Sequence, residues 1–226
     1  MIETKGRLLS GNALKGIAMV TMALDHIGLV LFPAAVWLRM IGRLAFPIFA
    51  YLIAEGCRYT RNKTRHFLEI FGLGIICQIG YAVVSPDLYF GVLLTFSLSV
   101  LLIYAVQKAQ SARSYIPVVL LAVALVWVLC EKIPGVSFDY GFAGVMLPVL
   151  VSVPQKRQWR LAAAFGGIVL ICLDLQGYQW WSLLALVPLA LYNGQRGRKS
   201  FKYGFYIFYP LHLLVIYGIG MLMNGM

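Results

Sequence analysis

Acidic side chains are scarce in this chain: eight Asp and Glu stand against nineteen Lys and Arg, and only 12% of the 226 residues are charged. Soluble domains carry about 25% charged residues, so an ordinary water-facing surface is excluded. Cysteine is sparse as well. Cys57, Cys77, Cys130 and Cys172 form no C-x-x-C pair, and each falls in or at the end of an apolar run. That pattern removes a disulfide framework or a zinc site and leaves packing thiols. The phosphate loops, H-E-x-x-H helices and G-x-S-x-G elbows of soluble enzymes are missing too. No low-complexity tract, linker or internal repeat interrupts the chain, which reads as one domain over 1–226.

Apolar side chains are abundant, at 61% of residues. The net charge of +11 and pI near 9.7 would ordinarily raise nucleic acid as a partner. That reading fails, because the cations lie in short clusters between apolar runs instead of along one face. A membrane-spanning helix needs about 20 mostly apolar residues. Nine stretches qualify as candidates, at 13–32, 36–54, 67–84, 89–106, 115–130, 141–153, 161–173, 180–192 and 203–223, the sixth to eighth being short. Pro33, Pro86, Pro117, Pro134 and Pro154 mark their ends or kinks. The first run follows a positive N-terminal segment but no small-residue cleavage site, so it reads as a retained span. Fifteen of the cations fall in one set of alternate loops: Lys5 and Arg7, Arg58–Arg65, Lys108 and Arg113, Lys156–Arg160, and Arg196–Lys202. The other set holds only Lys132. The positive-inside rule then places the N-terminus in the cytoplasm. The expected architecture is all-α, a polytopic transmembrane bundle of about nine spans.

Lys15, Asp25, His26, Arg39, Arg43, Glu55 and His212 fall within or at the ends of these spans. A charge at the bilayer centre costs on the order of 3 kcal/mol, so such residues pair or line a polar cavity. Lys15 and His26 are eleven residues apart, about three helical turns, and share one face roughly 16 Å apart along the axis. If the first two spans form a hairpin about the short 33–35 turn, Arg43 meets Asp25 or His26 at one depth. From spacing alone, Asp25 and Arg43 make either a structural ion pair or part of a site. His212, in Phe208-Tyr-Pro-Leu-His, is either an interhelical hydrogen-bonding residue or a site residue, and Tyr209 beside it is by default a packing aromatic. Glu55 neutralises Arg58 or another cation. The segment Arg58-Tyr-Thr-Arg-Asn-Lys-Thr-Arg65 is the densest basic stretch. It is either a topology determinant beside anionic lipid or a clamp for a phosphate-bearing cosubstrate.

Asn12-Ala-Leu-Lys-Gly-Ile-Ala, Met22-Ala-Leu-Asp-His-Ile-Gly28, Gly42-Arg-Leu-Ala-Phe-Pro-Ile-Phe49, Asp139-Tyr-Gly-Phe-Ala-Gly, Leu191-Tyr-Asn-Gly and Phe208-Tyr-Pro-Leu-His-Leu resemble, in order, the signature of the TraX family. The likeness spans nearly the whole chain, and the blocks around Asp25-His26, Gly42–Phe49 and Tyr209–His212 are the specific ones. That family is associated with N-terminal acetylation of conjugative pilin. The Lys15 to His26 spacing is similar to an Arg, ten residues, then His of wider integral-membrane acyltransferases, with Lys in place of Arg. The resemblance implies a multi-pass inner-membrane acetyltransferase that moves an acetyl group from acetyl-CoA, without a metal. The acceptor is a peptide amine, pilin among them, or a glycan hydroxyl. It implies His26 as general base or acetylated carrier, with Asp25 and Arg43 beside it. Lys15, Arg58, Arg61, Lys63 and Arg65 then hold the CoA phosphates, and His212 and Tyr209 line the acceptor side. A small proton-coupled transporter, or a non-catalytic partner in a membrane assembly, are the alternatives the same buried charges allow.

Overall fold

The computed structural model describes residues 8–84, 87–197 and 202–223. Lys5, Arg7, Pro86, Arg198 and Lys199 lie outside the described residues. The fold is an all-α polytopic membrane bundle. Among the described residues, seven helices are long and apolar enough to cross a bilayer: Gly11–Val30, Val36–Tyr59, Lys63–Val83, Val92–Ser111, Arg113–Glu131, Arg157–Leu175 and Gly204–Met223. The helical solution follows from the solvent, since hydrocarbon offers no partner to a backbone N–H or C=O.

The chain divides into two compact units, Met1–Leu52 with Leu175–Met226, and Ile53–Asp174. In the first unit, helix α1 (Gly11–Val30) starts at Ser10, whose hydroxyl accepts the Ala13 N–H at 3.2 Å. Its first amides are also satisfied by chain that follows much later: Gly11 N donates to Gln195 O at 2.8 Å and Asn12 N to Arg196 O at 3.1 Å. Pro33 follows α1, and α2 (Val36–Gly42) packs back against it. Helix α3 (Ala45–Tyr59) continues the same run after a break at Arg43 and Leu44. Pro47 explains the break, since it has no N–H to offer Arg43 O and its ring would collide with that carbonyl. The second candidate span is thus two helices, which the apolar run alone does not reveal.

In the second unit, α4 (Lys63–Val84), α5 (Val92–Ser111), α6 (Ile116–Glu131), α7 (Gly141–Ser152) and α8 (Arg157–Leu175) follow one another. Helix α5 is the core element, packing against α4, α6 and α7. Its buried hydroxyls are spent on backbone: Ser99 Oγ donates to Val145 O at 2.8 Å and Thr95 Oγ1 to Asp139 O at 3.0 Å. Two short strands, β1 (Leu88–Phe90) and β2 (Val136–Phe138), pair in parallel, with the Phe90 and Phe138 rings stacked at 4.8 Å. The stretch read as the start of the fourth span is therefore strand at Tyr89 and Phe90.

The short candidates resolve differently. Residues 141–152 form the 12-residue α7, with Pro148 inside it. Residues 161–173 sit inside the 19-residue α8, a full-length candidate. Residues 180–192 are mostly a 3-10 stretch, Gly177–Ala185, followed by the five-residue α9 (Leu186–Ala190) in the first unit. The last helix, α10 (Lys202–Met223), packs against α1.

Glu55 does not pair with Arg58. Its carboxylate meets Arg160, which is 5% exposed and lies in α8, so Arg160 is a buried partner and not a loop charge. Arg160 Nε also donates to Val151 O at 3.3 Å.

Candidate functional site

The first unit collects its charges around the C-terminal half of α1. Asp25 and Gly28 there face α2, which carries Arg39 and is capped one turn later by Arg43. The Asp25 carboxylate accepts from both guanidiniums, Oδ2 from Arg39 Nη1 at 2.9 Å and Oδ1 from Arg43 Nη2. Arg39 Nη1 also reaches Asp25 O at 3.3 Å. Each of the three side chains is less than one-fifth exposed. Two small residues allow this approach. A Cβ on Gly28 would stand 2.7 Å from Leu38 Cβ, and one on Gly42 would strike the Asp25 side chain. Gly42→Ala is accordingly expected to push Asp25 off its arginines and lower the unfolding midpoint, whereas Gly16→Ala, with open space around it inside a helix, does not lower it. Equal midpoints for the two variants in a thermal scan of detergent-purified protein would contradict the close contact.

The 3-10 stretch supplies a third side. Gln176 and Gly177 both take positive φ, 51° and 56°, and turn the chain so that Tyr178 and Gln179 reach the arginines. The Tyr178 ring lies 5.9 Å from the Arg39 guanidinium and 5.7 Å from that of Arg43, a cation–π arrangement. Arg43 Nη1 donates to Gln179 Oε1 at 3.4 Å, and Gln179 is buried. Asp25 is the sole carboxylate among the described residues of this unit. One negative charge therefore serves two permanent positive ones, and Tyr178 and Gln179 spread the remainder over neutral groups.

His26 follows Asp25 on α1. Its Nδ1 lies 2.8 Å from Met22 O. A carbonyl only accepts, so Nδ1 carries the proton and the neutral ring keeps its lone pair on Nε2. Helix α10 brings His212 to it, with ring centroids 5.0 Å apart and the rings edge-on. Tyr209 is buried, its ring 5.7 Å from that of His212.

The structure thus brings His26, Asp25, Arg43, His212 and Tyr209 together, and adds Arg39, Tyr178 and Gln179. Arg39 had a sequence signal, its four-residue spacing from Arg43, which puts both on one face of a helix. Tyr178 and Gln179 had none, lying in a segment that reads as the edge of a span. Lys15 is on α1, eleven residues before His26.

Arg58, Arg61, Lys63 and Arg65 belong to the other compact unit. Arg58 donates to Gln155 Oε1 at 2.8 Å, the Lys63 ammonium lies 5.1 Å from the Tyr104 ring, and Arg65 pairs with Glu69 at 3.0 Å. Arg61 is exposed. Asn62 caps α4 by accepting the Arg65 N–H at 2.9 Å, and an open depression of about 420 Å³ is lined by Asn62, Thr64, Arg65, Leu68 and Glu69. Among the described residues, no group of three His, Cys, Asp or Glu is placed to hold a metal ion.

A family model described as TraX protein matches residues 10–220. The "Probable fimbrial assembly protein FimC, serogroup H1" of Dichelobacter nodosus is 26% identical over 92% of this chain and 94% of its own length. "Protein TraX" of Escherichia coli is 28% identical over 60% of this chain and 52% of its own, and an uncharacterized protein of Rickettsia prowazekii is 27% identical over 71% and 62%. No solved structure matches.

Proposed function

This chain belongs to the TraX family, and from that premise we propose that it is an acetyltransferase of the cell inner membrane, acting in pilus assembly. Its N-terminus lies in the cytoplasm in this reading. The donor is acetyl-CoA and the acceptor an amine, such as a pilin N-terminus, or a hydroxyl. The observation that carries the reading is a histidine whose Nδ1 is spent on Met22 O, next in sequence to a carboxylate that two guanidiniums share.

That arrangement matches what acyl transfer to an X–H acceptor needs. His26 Nε2 takes the acceptor proton as the new bond to the carbonyl carbon forms, a contribution of about 10²–10⁴-fold for a positioned base. The excess positive charge of Arg39 and Arg43 favours the oxyanion that develops on the carbonyl oxygen. Asp25 holds both guanidiniums in place. Arg58, Arg61, Lys63 and Arg65 bind the phosphates of the donor, with Lys15 a further cation on the first unit. Membrane lipid surrounds the spans, and no nucleic acid takes part.

Transfer of labelled acetyl from acetyl-CoA to peptide and sugar acceptors, measured on the purified full chain in lipid nanodiscs, tests the reading. His26→Ala is expected to lower turnover by about 10²–10⁴-fold without changing the elution volume or unfolding midpoint. A wild-type chain that transfers nothing, but takes up solute in proteoliposomes without CoA, would replace the enzyme by a transporter.

A further inference from the structure

His212 is buried at 7% exposure, as is Tyr209 beside it. Its ring is fixed from three directions. Nδ1 lies 2.8 Å from Phe208 O, the Phe208 ring stacks on it at 4.7 Å and 4°, and Tyr209 stands edge-on. Because a carbonyl accepts only, Nδ1 holds the proton, and Nε2 carries the lone pair. That Nε2 is buried and has no hydrogen-bond partner among the described residues. A histidine kept for packing or for bridging helices would spend both nitrogens, since an unsatisfied buried acceptor is destabilising. His26 is held the same way by Met22 O. Two imidazoles 5.0 Å apart thus share one tautomer, each with its Nδ1 spent on its own helix. With no hydrogen bond reaching His212 Nε2 directly, that separation fits transfer through one bridging water.

Neither ring has a carboxylate to hold it as a cation. Asp25 already serves Arg39 and Arg43, and the described residues of this unit hold no other Asp or Glu. A pair of this kind passes a proton on and does not store it.

Resting on the acetyl-transfer reading, we propose that His212 is a second catalytic residue, which receives the acceptor's proton from His26 and delivers it to the leaving thiolate. The acceptor nitrogen or oxygen bonds to the carbonyl carbon and releases its proton to His26 Nε2. The carbon–sulfur bond breaks, with its electron pair on sulfur. The proton moves from His26 Nε2 to His212 Nε2 and then to sulfur, giving free CoA thiol. Both rings end neutral, with Nδ1–H as they began.

The test compares His212→Ala and His212→Gln with wild type in the same transfer assay, with and without added imidazole. Both variants are expected to lose about 10²–10⁴-fold in turnover at unchanged KM for acetyl-CoA. Imidazole should restore part of the loss in His212→Ala, where the ring has left a space, and none in His212→Gln. Near-normal turnover in His212→Gln, or indifference of His212→Ala to imidazole, would assign His212 to packing and overturn the relay, as would loss of fold in both variants. A wild-type chain without acetyl transfer overturns the reading of the function, and the relay with it. Active wild type with active His212→Gln overturns the relay alone.

Discussion

Asp25→Ala is expected to destabilise the protein by about 3–5 kcal/mol, the range found when one partner is removed from a buried ion pair. The reason is what stays behind. Arg39 and Arg43 are permanently charged, less than one-fifth exposed, and held by the same carboxylate. Without it, two guanidiniums, one on α2 and one at its C-cap, lie side by side in a unit with no second Asp or Glu among its described residues. Tyr178 and Gln179 soften that repulsion but carry no charge. Asp25→Asn keeps the shape and removes only the charge, so it should lose nearly as much. Adding Arg39→Met and Arg43→Met to Asp25→Leu should recover most of the loss, because an apolar triad of similar volume removes the desolvation problem from both sides. Unfolding midpoints in one detergent, for the single and triple variants, decide it. A triple variant no better than Asp25→Ala would mean that the carboxylate acts through the α1–α2 packing and not through its charge.

A loss of similar size is expected for Arg160→Leu, in the other unit. Glu55 is 7% exposed and Arg160 5%, and the guanidinium also bonds the Val151 carbonyl. Removing Arg160 takes the paired guanidinium away from a buried carboxylate, at a cost of about 3–5 kcal/mol. Glu55→Gln should cost nearly as much, since it keeps the shape but takes the carboxylate's charge away from the buried Arg160 guanidinium. The double variant Glu55→Leu with Arg160→Leu separates charge from volume: it should lie closer to wild type than Arg160→Leu does. Additive losses would show that the two side chains are not energetically coupled.

Much of this was legible in the chain because hydrocarbon allows few structures. The apolar runs could be read as helices, and depth arithmetic on a short turn brought Asp25 level with Arg43. Where the reading stopped has physical causes. Glu55 and Arg160 are 105 residues apart, and no periodicity links two helices that distant. Arg160 follows Lys156 and Arg157, so it looked like one more loop cation until the start of α8 placed it inside. The 3-10 stretch bearing Tyr178 and Gln179 has the composition of a span but depends on positive φ at Gln176 and Gly177. The break at Arg43 and Leu44 was written in Pro47, yet a proline within an apolar run is equally compatible with a kink. The tautomers of His26 and His212 are set by carbonyls four residues back, a contact that any helical histidine can make and that only the facing ring renders informative.

Helix α6 presents Val118, Leu120, Leu121 and Leu125 outward, and Cys130 is its one buried residue. With the preceding turn it spans 19 residues, about 28 Å at 1.5 Å per residue, close to the hydrocarbon thickness of about 30 Å. A cation over an aromatic ring marks each end: Lys108 on Tyr115 at 4.3 Å, and Lys132 on Trp127 at 4.9 Å. Such pairs anchor at the headgroup level. Lipid, far more than protein, therefore sets how α6 stands, and hydrophobic mismatch acts on it before it acts on the better-packed α5. The strand β2 comes directly after α6, and Glu131 at its end accepts the Phe142 N–H at 2.9 Å. A bilayer that tilts α6 is thus expected to shift the β1–β2 pair along with it.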